Sequence, residues 1–105
     1  MIFEFDWNIV LDDAMANLGV ATDFALAKAM QITHAAVAQY RSQARVPDPD
    51  VCCKLAEVNG KEPLFYISAA EAQRARDRRA RRRWLRRLAR YVSGTSRRTS
   101  RANKR

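Results

Sequence analysis

The most constraining feature of this chain is the segment 23–42, DFALAKAMQITHAAVAQYRS, whose apolar residues recur at helical spacing on both sides of a short interruption. This spacing is typical of two short amphipathic helices joined by a tight turn. The apolar positions are Leu26, Met30, Ile32, Val37 and Tyr40. Ala27 falls where the two helices would cross, and only a small side chain there lets them approach closely. The segment therefore predicts a compact pair of helices with one shared apolar side.

The second helix of this pair presents a polar face without acidic residues opposite its apolar stripe. The outward positions are His34, Ala35, Ala38, Gln39 and Ser42. Gln39 has the two groups needed to pair with N6 and N7 of adenine, and His34 can donate to guanine or phosphate. Ala35 and Ala38 allow close approach and can touch a thymine methyl group. A face of this kind suits the major groove of DNA.

Capping and turn residues predict further helices around the pair, and no strand pattern or internal repeat is found. The expected N-caps are Asp6, Thr22, Thr33 and Asp48. The first helix is expected over 7–18 with Gly19 as its stop, and a fourth over 49–58 before Gly60. Pro63 is expected to open a fifth helix. The predicted fold is an all-α, five-helix domain over residues 1–70.

Charge divides the chain into two unequal parts. Residues 1–70 contain five basic and nine acidic residues, so their net charge is −4. Residues 71–105 carry a net charge of +13, and the whole chain therefore has a net charge of +9. This asymmetry predicts a polyanion partner, nucleic acid first and an acidic membrane second. The predicted polyanion-binding residues are Arg78, Arg79, Arg81, Arg82, Arg83, Arg86 and Arg87.

Residues 71–92 are expected to form a basic amphipathic helical extension. No glycine or proline occurs from Ala69 to Val92, so the fifth helix is expected to continue as one long rod. Its apolar face is formed by Trp84, Leu85, Leu88, Tyr91 and Val92. That face can pack on the core, pair two chains as a homodimer, or lie on a membrane surface. We favour the first two, and we expect residues 93–105 to be a disordered basic tail.

Other function classes are disfavoured by what the sequence contains. Cys52 and Cys53 are neighbours on a predicted helix, pointing about 100° apart, so we expect no disulfide and one of the two in the core. His34 is the single histidine, which disfavours zinc. No nucleophile with an oriented base or glycine-rich phosphate loop is found, so we expect neither catalysis nor a cofactor. The N-terminal residues lack the pattern of a signal peptide, which favours a cytoplasmic protein.

The segment 22–45 resembles the lambda-repressor-like helix-turn-helix of the Cro/CI (XRE) family of phage and bacterial regulators. The resemblance is clearest at Leu26-Ala27, Ile32-Thr33 and Val37, and the flanking helices extend it over residues 7–70. One difference lies at the turn, where the family often has glycine and this chain has Gln31. A positive φ at Gln31 would cost on the order of 1 kcal/mol.

The resemblance implies that the third helix, over 33–42, reads bases in the major groove of double-stranded DNA. The implied base-reading residues are Thr33, His34, Ala35, Ala38 and Gln39. The implied phosphate contacts are Arg41, Ser42 and Arg45. The expected function is that of a sequence-specific transcriptional repressor of phage or mobile-element type, binding as a dimer on symmetric half-sites.

Two alternatives remain open from the sequence. One is the DNA-binding antitoxin of a toxin–antitoxin pair, which would share the helix-turn-helix and wrap a toxin with its tail. The other is an adaptor that binds RNA or a membrane through its arginine-rich helix. Retention of function by residues 71–105 alone would distinguish the adaptor.

Overall fold

The computed structural model describes residues 5–104, with side chains described through residue 91. This part of the chain contains six α-helices and no strand, which confirms the all-α class. The helices are α1 (Trp7–Leu18), α2 (Asp23–Met30), α3 (His34–Arg41), α4 (Pro49–Asn59), α5 (Pro63–Arg74) and α6 (Arg78–Lys104). Among the described residues, no helix combines the length and apolar character needed to cross a membrane.

The helix ends follow local capping chemistry. The hydroxyl of Thr22 accepts a hydrogen bond from the Ala25 N–H at 3.1 Å. Asp6, Thr33 and Asp48 cap α1, α3 and α4 in the same manner. Each cap satisfies a backbone N–H that has no partner within its helix. The predicted beginnings of the first five helices are confirmed, although α5 begins at Pro63 without a side-chain cap. Helix α4 ends one residue later than predicted.

The core lies between α1, α4 and α5, with the α2–α3 pair packed on α1. All the predicted apolar positions of the pair are buried except Ile32, which is partly buried against the core. Ala27 is only 3% exposed, as expected for a residue at the helix crossing. Near the N-terminus of α1, the Trp7 indole N–H donates to Gln73 Oε1 at 2.6 Å, and Gln73 Nε2 donates to the Phe5 carbonyl at 2.9 Å. These two bonds join the start of α1 to α5.

The adjacent cysteines have opposite environments. Cys52 is fully buried in the core, whereas Cys53 is exposed, and both are free thiols. This confirms the prediction that one of the two lies in the core. Burial raises the pKa of the Cys52 thiol to about 12, so this thiol is neutral at pH 7. Cys52 is a small apolar core residue and supplies no thiolate nucleophile.

The predicted single rod is wrong, because the chain breaks between α5 and α6. Ala75 has extended backbone angles, with φ −65° and ψ 126°. The Asp77 carboxylate then accepts a hydrogen bond from the Arg79 N–H at 3.0 Å, and its carbonyl accepts one from the Arg81 N–H at 2.9 Å. Asp77 thus acts as the N-cap of a new helix, which packs along α5.

The apolar face of α6 packs on the domain, in line with the interpretation favoured from the sequence. Leu88 is 7% exposed and belongs to the core cluster, and Leu85 packs against it. Trp84 and Tyr91 are partly buried, and the side chain of Val92 lies outside the described residues. The disordered basic tail expected over residues 93–105 lies outside the part of the chain whose side chains are described, and it stays a prediction.

The turn between α2 and α3 uses a left-handed residue that is not glycine. Gln31 has φ 58°, and the Ile32 N–H donates to the Ala27 carbonyl at 3.0 Å, as in a Schellman turn. Because a side chain disfavours this conformation, Gln31→Gly is expected to raise the free energy of unfolding by about 0.5 to 1 kcal/mol. Urea denaturation followed by circular dichroism measures the change.

A glycine at an ordinary helical position provides the control. Ala16 is exposed within α1, where glycine is expected to cost about 1 kcal/mol. Opposite signs for Gln31→Gly and Ala16→Gly would support the strained turn. A loss of stability in both variants would contradict it.

Candidate nucleic-acid interface

The outer face of α3 carries the residues predicted to read bases. The residues predicted to read bases are all exposed: Thr33, His34, Ala35, Ala38 and Gln39. The opposite side of the helix is anchored by Val37 and Tyr40, which are at most 1% exposed. No acidic residue occurs between Asp23 and Asp48. The helix is thus fixed to the domain by one side and presents an acid-free face on the other.

Two hydroxyl groups of the predicted set already have local roles. Thr33 caps α3 by accepting a hydrogen bond from the Ala36 N–H at 3.0 Å. Ser42 donates to the Gln39 carbonyl at 3.2 Å and accepts from the Ala44 N–H at 3.4 Å. Thr33 therefore keeps its hydroxyl proton for another acceptor, whereas Ser42 must exchange a bond to donate elsewhere.

Gln39 and Arg45 lie side by side at the end of this face. Arg45 Nη1 donates to Gln39 Oε1 at 3.5 Å, and its guanidinium lies 6.0 Å from the centre of the Tyr40 ring. A second guanidinium nitrogen is 3.9 Å from the Asp48 carboxylate. These contacts hold the Arg45 side chain near the C-terminal end of α3, and the side chain stays exposed to solvent. The structure thus brings together a predicted base-reading residue and a predicted phosphate contact.

Arg41 was predicted to contact phosphate, and its guanidinium lies among acidic and polar groups of the domain. Arg41 is 2.8 Å from a carboxylate oxygen of Asp12 and 3.0 Å from one of Asp23. Arg41 also donates to Asn8 Oδ1 at 3.1 Å and to the Asn8 carbonyl at 3.3 Å. Burial lowers the pKa of Arg41, but the hydrogen bonds with Asp23 and Asp12 outweigh it and leave the pKa above its ordinary value. Its charge is thus already paired, and its place is between α1, α2 and α3.

Phe24 is a residue of this surface that the sequence reasoning missed. Its side chain is 65% exposed at the start of α2, and its ring meets the His34 ring edge-on at 5.9 Å between centroids. A single exposed apolar side chain is common on a protein surface, so the contact with His34 is what assigns Phe24 to this face. The sequence contained a signal for its exposure, because Phe24 lies outside the apolar stripe of α2.

The arginines of α6 fall into groups with different surroundings. Arg79, Arg82, Arg83 and Arg86, here called the arginine stripe, are exposed at i, i+3, i+4 and i+7 spacing, which places them on one side of the helix. No ion pair between described residues involves them. Arg78 is also exposed, and Arg81 reaches back toward the Ala75 carbonyl at 3.5 Å. The remaining member of the predicted set, Arg87, lies over the Trp84 ring at 5.0 Å.

Comparisons of the chain with protein-family models, curated proteins and solved structures yield no match.

Proposed function

We propose that this protein binds double-stranded DNA sequence-specifically, with α3 in the major groove, and acts as a transcriptional repressor of phage or mobile-element type. The observation that carries the proposal is the exposed, acid-free face of α3 on a helix whose other side is buried. The order of α1 to α5 and the packing of α2 and α3 on α1 support a lambda-repressor-like arrangement.

Within this proposal, Gln39 and His34 supply most of the sequence preference. Gln39 pairs with adenine, for which it must share or release its contact with Arg45. His34 donates to guanine, with Phe24 beside its ring. Ala35 and Ala38 let the backbone of α3 approach the base edges closely, and Thr33 adds a hydroxyl donor at the start of the helix.

The phosphate contacts position the helix without specifying sequence. Arg45 and Ser42 suit this role because both are exposed at the end of α3. We leave Arg41 out, since its guanidinium is already held by Asp12 and Asp23. The arginine stripe supplies non-specific affinity that the net-acidic domain lacks.

Selection of bound sequences from random duplex DNA tests the proposal. The full-length chain is expected to enrich one site, which would be palindromic for a dimer. The variant His34→Ala/Gln39→Ala is expected to lose that preference, since each good side-chain–base pair contributes roughly 1 to 3 kcal/mol of discrimination. Its affinity for random duplex at low salt should stay close to the wild-type value.

A matched variant controls for general effects of two alanine substitutions. Glu57→Ala/Lys61→Ala removes one charge of each sign at exposed positions of α4 and the following loop. This control should enrich the same site as the wild-type chain. Unchanged preference in the α3 variant would mean that α3 is not the reading helix.

A further inference from the structure

A concave site lies between α5 and α6, and the α3 face contributes no residue to it. It is a cavity of about 340 Å³ lined by Leu64, Ser68, Trp84, Arg87, Arg90 and Tyr91. None of these residues belongs to α2 or α3. Its volume is near the lower end of small-molecule sites, which span about 300 to 1,000 Å³. The cavity is therefore large enough for one planar ring system and too small for a helix.

The chemistry of the lining combines aromatic rings with positive charge. The Arg87 guanidinium lies 5.0 Å from the centre of the Trp84 ring, within the range of a cation–π contact. Arg90, which is exposed, and Tyr91, which is partly buried, also line the cavity. Aromatic rings next to arginines are the pattern of sites that stack nucleobases and hold their phosphates.

The lining also supplies a buried hydroxyl group. Ser68 is 1% exposed, yet it borders the cavity from α5. A hydroxyl can donate to and accept from the polar edge of a base. The lining thus combines two aromatic rings, one neutral hydroxyl group and two guanidinium groups.

We propose that this cavity binds an unpaired base of single-stranded nucleic acid. The base stacks on Trp84 or Tyr91, and Arg87 and Arg90 contact the adjoining phosphates. The arginine stripe continues the contact along the backbone. An intact duplex does not fit this role, because its bases already stack on one another. The proposal is independent of duplex reading by α3.

Fluorescence anisotropy of end-labelled strands, titrated with the full-length chain, tests this site. The probes are a ten-residue oligothymidylate and an abasic deoxyribose-phosphate strand of the same length and charge. We expect the oligothymidylate to bind on the order of tenfold more tightly, because stacking adds to the phosphate contacts. It should also quench tryptophan fluorescence. An oligouridylate of the same length tests whether the site prefers RNA to DNA.

Substitutions at Trp84 separate stacking from charge. Trp84→Leu should bring the affinity for oligothymidylate down to that for the abasic strand and remove the quenching, since the other tryptophan, Trp7, is buried in the core. Trp84→Tyr keeps an aromatic ring and should retain most of the preference. This conservative variant distinguishes lost stacking from a misfolded helix.

Two arginine variants form a matched pair of equal charge. Arg79→Ala, on the arginine stripe, should weaken binding of both strands by the same factor. Arg87→Ala, beside the cavity, should also reduce the preference for the strand with bases. Equal affinity of the wild-type chain for both strands, or a preference that survives Trp84→Leu, would overturn the proposal. Neither result would alter the duplex selection experiment, which depends on His34 and Gln39.

Discussion

An Arg41→Met variant is expected to lose about 2 to 3 kcal/mol of unfolding free energy, since removing one partner leaves the others without compensation. The Arg41 side chain is 22% exposed and Asp23 is 33% exposed, so the group is partly shielded from water. Asp12, 65% exposed, contributes less because water screens it. Methionine keeps the apolar part of the side chain, so the change isolates the guanidinium. Urea denaturation followed by circular dichroism measures the effect.

Second substitutions identify the source of the loss. Arg41→Lys keeps the charge but not the planar group that reaches several acceptors, so we expect an intermediate stability. Adding Asp23→Asn to Arg41→Met should restore part of the stability, because it removes an uncompensated carboxylate. If these ion pairs add no stability and Arg41 is free to contact DNA phosphate, the single variant would be as stable as the wild-type chain. It would then lower the salt dependence of DNA binding by about 0.9, the slope expected for one contact.

The beginnings of the helices could be predicted because their causes are local. The hydroxyl of Thr33 reaches an N–H only three residues away, and the same holds for Thr22. The buried side of α3 was equally predictable, because helical periodicity alone places Val37 and Tyr40 together. The exposed face follows from the same periodicity.

Arg41 could not be placed in this way because its partners are distant in sequence. Asn8 is 33 residues from Arg41, and no local pattern links them. The prediction that Arg41 contacts phosphate came from its position at the end of α3, which does not show which acidic residues of α1 and α2 lie near it. The packing of α1 on α3 brings Asp12 to it, and only the tertiary structure contains that information.

The break before α6 was not predicted, although the sequence contained a residue that indicates it. The prediction of a rod followed from the absence of glycine and proline. However, Asp77 is a good N-cap, and a helix can begin at it without either residue. The burial of Leu88 then stabilises α6 against α5. A capping residue inside a predicted helix therefore carries as much information as a helix breaker.

The quadruple variant Arg79→Gln/Arg82→Gln/Arg83→Gln/Arg86→Gln is expected to bind duplex DNA about a thousandfold more weakly at 150 mM salt. The reason is that each phosphate contact releases a counterion, so four lost contacts reduce the slope of log affinity against log salt by about 3 to 4. Glutamine is nearly as good a helix former as arginine, and its neutrality removes repulsion between arginines three and four residues apart. Stability should therefore stay unchanged or rise slightly. Fluorescence anisotropy at several salt concentrations measures affinity and slope together.

Charge removed elsewhere on the molecule provides the control. The variant Lys28→Gln/Lys54→Gln/Lys61→Gln removes three positive charges from the domain and leaves the arginine stripe intact. If the stripe contacts phosphate, this control should leave the salt slope near the wild-type value. If only net charge matters, both variants should lose affinity in proportion to the charges removed. The operator preference of the quadruple variant should persist, because His34 and Gln39 remain on α3 and the stripe adds affinity equally to every sequence.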